Sequence, residues 1–416
     1  MNANNHINWD LVKYAIALSF LILFNYFLWS INSWQIIRFI NFLILLSIFF
    51  YFFVSKRFNK YWYLKIIIFL LLIISLGTPT IPIDSRTLFL FPGKMLFYES
   101  NLYFRLDNYT SAINFAGHNF LDTVYSRPKL AVSLSATFAQ IVGIWNDIFP
   151  RSTNVILIFP PVIFLISFLK DKVLILLWLF FMLFFSGKLL INGLLDGILA
   201  LYFVASILIV YSISLAKTIN EKRLLYFILF LFFTILSLCK HEGGIMILMI
   251  FLSCAFVDFL YDKKINYKIV FTTAVSLIPI LFWRYIFLTS NSKMEFLHYG
   301  DPISRFLSRI TNTEDLFTIL YFLVINEKLV ISLVIFIFFA FKYFNKDRKL
   351  ILFVSLNFLL YFSSLILAVL LSRYTVLHQL EASSVRIFIP LVLMLIYFSI
   401  LLIKNNYTFK KSYTLD

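Results

Sequence analysis

Charge is what this chain has least of. Only 13% of its 416 residues are Asp, Glu, Lys or Arg, while 62% are hydrophobic, a balance that excludes a water-soluble globular domain and a disordered chain alike. Cysteine is nearly absent: Cys239 and Cys254 fall inside or at the ends of apolar runs, which excludes a disulfide framework. With 10 glycines and 10 prolines there is no Gly-rich phosphate loop and no flexible linker. No His/Cys/Asp spacing matches a metal motif. The apolar runs do not alternate, so a strand barrel is excluded too. No basic n-region opens the first twelve residues and no small-residue cleavage site follows, so the first apolar run reads as a retained span.

What is present is a series of apolar runs, each long enough to cross roughly 30 Å of hydrocarbon as a helix. Spans are expected near 11–30, 35–55, 62–77, 153–169, 173–190, 196–216, 224–240, 243–260, 268–289, 329–344, 349–371 and 386–403, which makes an all-α polytopic membrane protein of about twelve transmembrane helices. The formal charge of +16 belongs to short basic clusters between these runs. Lys56/Arg57/Lys60, Lys170/Lys172, Lys217/Lys222/Arg223, Lys263/Lys264/Lys268, Lys342/Lys346/Arg348/Lys349 and Lys404/Lys410/Lys411 follow every second span, so topology explains them better than a nucleic-acid partner. By the positive-inside rule these clusters and both termini face the cytoplasm of a bacterial inner membrane.

This register leaves one long outer loop over 78–152 and a second over 290–328. It requires that residues 128–147, apolar but interrupted by Ser133, Ser135, Thr137 and Gln140, lie along the outer surface without crossing. Shorter outer turns hold Lys188, Asp196, Lys240, Glu242, Arg373, His378 and Glu381. Charged groups near the hydrocarbon are costly, up to roughly 2.5–3.5 kcal/mol each at a span's centre on insertion scales, so their gathering on one side suggests a shared polar cavity. Residues 1–61 read as a two-helix addition, 62–403 as the main membrane domain, and 404–416 as a cytoplasmic tail.

The long outer loop opens PIDSRTLFLFPGKMLFYESNLYF and closes YSRPKLAVSLSATFAQIVGIWNDIFPRS; later come GLLDGILALYF, CKHEGG and HQLEASSVRIFIP. In order and spacing over residues 62–403 these segments resemble the GT-C glycosyltransferases, the superfamily that includes protein mannosyltransferases and the lipid A aminoarabinose transferases. Asp84 stands where that family opens its first outer loop with an Asp, and Pro128 to Trp145 matches its juxtamembrane segment. Lys240 with Glu242, and His378, Ser384 and Arg386 before the last span, match further family positions. The chain departs from the family in lacking an assigned second carboxylate and a His-Pro-Asp-Tyr-Pro-like stretch at Val124 to Pro128. Pro92 and Gly93 are expected to interrupt the helix that should follow Asp84.

The resemblance implies transfer of a sugar from a polyprenyl-phosphate donor to a glycan, glycolipid or protein acceptor on the outer face, with inversion at the anomeric carbon. Asp84 is the candidate base, since a carboxylate taking the acceptor's proton contributes about 10²–10⁴ in rate. Arg86, Lys94, Lys129 and Arg386 are candidates for the donor phosphate, where cations placed against developing negative charge favour the transition state. Asp122, Asp196, Lys240, Glu242 and His378 are expected to line the site. A divalent metal stays open, because bridging it to phosphate would need Glu99, Asp107 or Asp122 as a second carboxylate.

Each of these residues also has a plainer role. Asp84 could cap a helix, Arg86, Arg127 and Lys129 could snorkel to lipid headgroups, Asp196 could pair with Lys188 or Lys240, and His118 and His378 could be structural. Residues 296–310, with Arg305 and Arg309 four apart, suit an interfacial helix that covers the site. A transporter or flippase, or a polymerase or ligase of lipid-linked saccharides, is the rival function.

Overall fold

The computed structural model describes residues 7–77, 90–102, 128–169, 171–192, 194–289, 301–372 and 374–413. All regular structure among the described residues is helical. The chain runs through α1 (Trp9–Ser30), α2 (Gln35–Val54), a 3-10 turn (Lys56–Tyr61), α3 (Trp62–Gly77), α4 (Phe91–Glu99), α5 (Leu130–Val142), α6 (Phe149–Leu169), α7 (Lys172–Ile191) and α8 (Asp196–Leu215). It continues through α9 (Ile219–Cys239), α10 (His241–Asp262), α11 (Tyr267–Thr289), α12 (Pro302–Ile310), α13 (Thr313–Ile325), α14 (Glu327–Leu371), α15 (Val376–Ile387) and α16 (Ile389–Tyr413). Among the described residues, 11 helices are long and apolar enough to cross a bilayer, so the protein is an all-α, multi-pass membrane protein.

The longest of these, α14, has 45 residues and would extend about 68 Å if straight, twice the hydrocarbon thickness. It leaves helical geometry at Asp347 (φ −120°, ψ 32°), so it is two segments that turn there. Lys328 in its first turn donates to the Phe185 carbonyl near the end of α7, while Lys349 just past the break pairs with Asp262 at the end of α10. The carbonyls at its far terminus are held by Arg309, back at the starting end. Both spans expected over 329–344 and 349–371 are therefore present, joined by a kink whose Asp347 carboxylate accepts from Asn406 at 2.9 Å.

The interior is built on α6, α8 and α16, whose apolar side chains are buried nearly all round, as expected for helices surrounded by other helices. Tyr397 of α16 donates to the Leu165 carbonyl of α6 at 2.9 Å and packs edge-on against Trp178 of α7. Around this centre α2, α3, α10, α11 and the first half of α14 leave one apolar face uncovered, for example Phe271 and Phe341, which is the face a lipid tail would cover. Helix starts follow local chemistry. Asp171 caps α7 through the amides of Val173 and Leu174, and Thr218 with Glu221 forms a reciprocal capping box on α9.

The short helices α4, α5, α12, α13 and α15 gather at one end of the bundle, termed the loop end. Of these α5 departs most from expectation. At 13 residues it is too short to cross, as the register requires, but it does not lie along the surface. Nearly every side chain from Leu130 to Gln140 is buried, including Ser133, Ser135 and Thr137. Those hydroxyls are the reason. Trp29 donates its indole N–H to Thr137 at 2.8 Å, Thr137 bonds Asn25 at 3.2 Å, and Ser135 meets Thr153 at 2.9 Å. Polar residues that read as solvent-facing are satisfied by α1 and α6, so α5 is embedded between them.

Candidate functional site

The loop end holds two buried ionic arrangements. The first is made by two very tight turns. Only Lys240 separates α9 from α10, in extended geometry (φ −158°, ψ 155°), so the two helices close on each other within one residue. Gly243 permits this: a Cβ there would collide with the Leu236 carbonyl oxygen, and no rotamer change relieves a backbone contact. The α7–α8 turn behaves similarly, since a Cβ on Gly197 would stand 2.9 Å from Leu190 Cδ2 and 3.0 Å from the Leu189 carbonyl oxygen.

These turns bring together three of the residues expected to line a site. Lys240 Nζ lies 2.8 Å from Asp196 Oδ1 and 3.0 Å from Glu242 Oε1. Asp196 and Lys240 are nearly sealed, whereas the Glu242 side chain is 47% exposed. Asp196 therefore pairs with Lys240 and not with Lys188. Two carboxylates share one ammonium, and Glu242 is the more exposed of the two. Tyr361 of α14 lies within electrostatic reach of both carboxylates, and its hydroxyl donates to the Ile387 carbonyl at 3.3 Å. That carbonyl belongs to the residue after Arg386, the expected phosphate-binding arginine, which is half-buried where α15 meets α16.

The second arrangement surrounds Lys129, which caps the start of α5 and is 1% exposed. Its ammonium donates to the Leu102 carbonyl at 3.1 Å and stands 5.0 Å above the Trp283 ring of α11. Loss of water pushes the Lys129 ammonium down to about 7 from the usual lysine range. A headgroup-snorkelling role does not fit this burial.

No family model matches the chain. Comparison with curated proteins and with solved structures likewise finds none similar. The site must be judged from its own chemistry.

The remaining expected residues fall as follows. Lys94 is exposed on α4, which forms despite Pro92 and Gly93: Pro92 sits in the first turn, where its missing N–H is not needed. A Cβ on Gly93 would stand 2.7 Å from Cη2 of the Trp145 ring, so a larger residue there would push that ring aside. The expected interruption is thus corrected to a helix start. His378 is exposed and packs on Tyr374, with its ring 5.2 Å away. Asp84, Arg86 and Asp122, with Asp107 and His118, lie outside the described residues. Among the described residues no three His, Cys, Asp or Glu side chains come together to hold a metal ion, and Glu99 is exposed at the end of α4.

Arg309 acts as a clamp. Its guanidinium donates to the carbonyls of Val369 (3.1 Å), Leu370 (3.1 Å), Ser372 (2.8 Å) and Tyr374 (2.7 Å), satisfying the open end of α14. Tyr361 and Trp283 were not singled out from sequence.

Proposed function

We propose that the protein is an inverting glycosyltransferase that moves a sugar from a polyprenyl-phosphate donor to a cell-envelope acceptor, working at the loop end of the bundle. What carries the reading is the shared location of the residues that resemble the family's. Lys240 lies within 3.0 Å of both Asp196 and Glu242, and Tyr361, within electrostatic reach of both carboxylates, bonds the carbonyl of Ile387, the residue after Arg386. Asp196 and Lys240 are 44 residues apart in sequence, and they meet at helix ends that a lipid-borne phosphate would reach.

In the proposed reaction the acceptor hydroxyl attacks the anomeric carbon while Asp84 takes its proton. The bond between that carbon and the phosphate oxygen breaks, and polyprenyl phosphate leaves with the electron pair. Arg386 offers planar, two-point donors to the departing phosphate, with Arg86 and Lys94 from the first loop and the buried Lys129 ammonium as further cations. Glu242 is suited to accept hydrogen bonds from sugar hydroxyls, since it is the exposed member of its cluster.

The basic clusters lie at the end away from these groups, which supports a cytoplasmic position for them and for both termini, and an outward-facing loop end in a bacterial inner membrane. Charged side chains of the described spans sit near the span ends, not at their middles. That arrangement suits chemistry at the membrane border better than a transporter, whose substrate site lies near the midplane. The test is reconstitution of the purified protein with a series of polyprenyl-phosphate sugars, comparing wild type with Asp84→Asn. Release of polyprenyl phosphate by wild type and its loss in the variant support the reading; equal release by both removes Asp84 as the base.

A further inference from the structure

The end of the bundle away from the Asp196–Lys240 pair holds a basic pocket that plays no part in the proposed transfer. It opens where α8 turns into α9 and where α11 begins, and it is lined by Lys217, Ile219, Lys222, Arg223, Tyr226 and Lys268, enclosing ≈ 420 Å³. Its floor is fixed by a two-way bridge between helices: Asn266 Nδ2 donates to the Tyr226 hydroxyl at 2.8 Å, and that hydroxyl lies 3.1 Å from Asn266 Oδ1. Glu221, the carboxylate on this turn, accepts from the backbone amides of Lys217 and Thr218 in the capping box. None of the four cations lining the pocket forms an ion pair with a carboxylate among the described residues.

The flanks of the pocket are apolar. On α9, Ile219, Arg223 and Phe227 recur at four-residue spacing and share one exposed face, so Arg223 stands within an apolar stripe. On α11, Tyr267 and Phe271 are 73% and 69% exposed and lie on one face with Ile278. Four concentrated positive charges above two uncovered apolar stripes are complementary to a molecule with an anionic head and hydrocarbon tails. A lipid of the surrounding leaflet can place its headgroup in the pocket while its tails lie along these stripes, which a soluble anion cannot do.

We propose that this pocket is a binding site for an acidic glycerophospholipid of the surrounding leaflet, its phosphate held by Lys217, Lys222, Arg223 and Lys268 and its acyl chains laid along Phe227 and Phe271. The shared chemistry is the phosphate group, and the membrane lipid, not free phosphate, is its source. Basic juxtamembrane side chains each contribute appreciably to such binding, so removing three weakens it on the order of a hundredfold.

The experiment is native mass spectrometry of the purified full chain titrated with phosphatidylglycerol or phosphatidylcholine. It compares wild type, the triple variant Lys222→Ala/Arg223→Ala/Lys268→Ala, and a charge-matched control, Lys13→Ala/Lys56→Ala/Lys342→Ala, drawn from exposed basic residues at the same end. A second variant, Lys268→Glu, guards against a folding defect, and size-exclusion profiles report folding for all. The expected result is a phosphatidylglycerol adduct on wild type and control that phosphatidylcholine does not give. It is lost in the triple variant, is weakened in Lys268→Glu, and survives excess glycerol phosphate. Equal loss in the triple variant and the control, no preference for the acidic lipid, or displacement by glycerol phosphate would each overturn the proposal. None of these outcomes bears on sugar transfer at the opposite end.

Discussion

Lys240 reaches across a one-residue turn to place its ammonium 2.8 Å from the Asp196 carboxylate, and the pair is almost sealed from solvent. Two charges are held at the membrane border by helices α8, α9 and α10, whose geometry depends on two glycines. Removing Lys240 strands the buried Asp196 carboxylate, at a cost of about 3–5 kcal/mol, whereas removing Asp196 leaves Lys240 paired with Glu242. Lys240→Met is therefore expected to lower the thermal midpoint strongly in detergent, Asp196→Asn to lower it less, and the double variant to lose less than the two single losses added together. Additive losses would mean that the pair is not coupled.

The α9–α10 turn makes a sharper prediction through neighbouring glycines. Gly243→Ala drives a methyl group into the Leu236 carbonyl, whereas at Gly244 the nearest atom stands 4.0 Å from an added Cβ. Gly243→Ala should unfold at markedly lower temperature, and Gly244→Ala should be neutral or slightly stabilising, because alanine favours the helix by up to about 1 kcal/mol. Parallel melting curves decide it.

Burial of Lys129 predicts a pH dependence whose sign is fixed. Its folded-state value is lowered to about 7, below that of the unfolded chain. Above that value the unfolded chain binds the extra proton, so stability rises with pH until the ordinary lysine range is reached. If the ammonium holds the leaving phosphate, turnover moves the opposite way and falls as pH rises through about 7. Lys129→Met should flatten the rise in stability. Lys129→Arg, charged throughout, should flatten the decline in turnover.

Sidedness has its own test. Single cysteines at Glu99 and His378, both exposed at the loop end, should react with a membrane-impermeant thiol reagent in intact spheroplasts, and one at Lys222 should react only after lysis. The native Cys239 and Cys254 are buried and add little background. Labelling of Lys222→Cys in intact cells would invert the orientation.

How much of this was legible depends on the range of the forces involved. Spans are written locally, in apolar length, and the helices stand close to where the runs put them, including the two segments of α14. The position of α5 was not legible, because Ser133, Ser135 and Thr137 look solvent-facing until Asn25, Trp29 and Thr153 are brought to them across more than a hundred residues or from the next helix. Asp196 had two equally good partners in the sequence, and only the fold chose Lys240. Pro92 and Gly93 looked like breakers because the sequence did not show that Pro92 falls in the first turn of α4, where its missing N–H is not needed. Lys129 was legible as a cation but not as a buried one.

The account rests on the loop-opening carboxylate sharing a pocket with the cations of the last helices. Paired cysteines at Asp84 and Arg386, treated with a short bismaleimide in native membranes and read by mass spectrometry, measure that directly, with Lys94 and Arg386 as a second pair for comparison. The prediction is efficient crosslinking of 84 to 386. Two cysteines that each react readily with a monofunctional maleimide yet never join would contradict it.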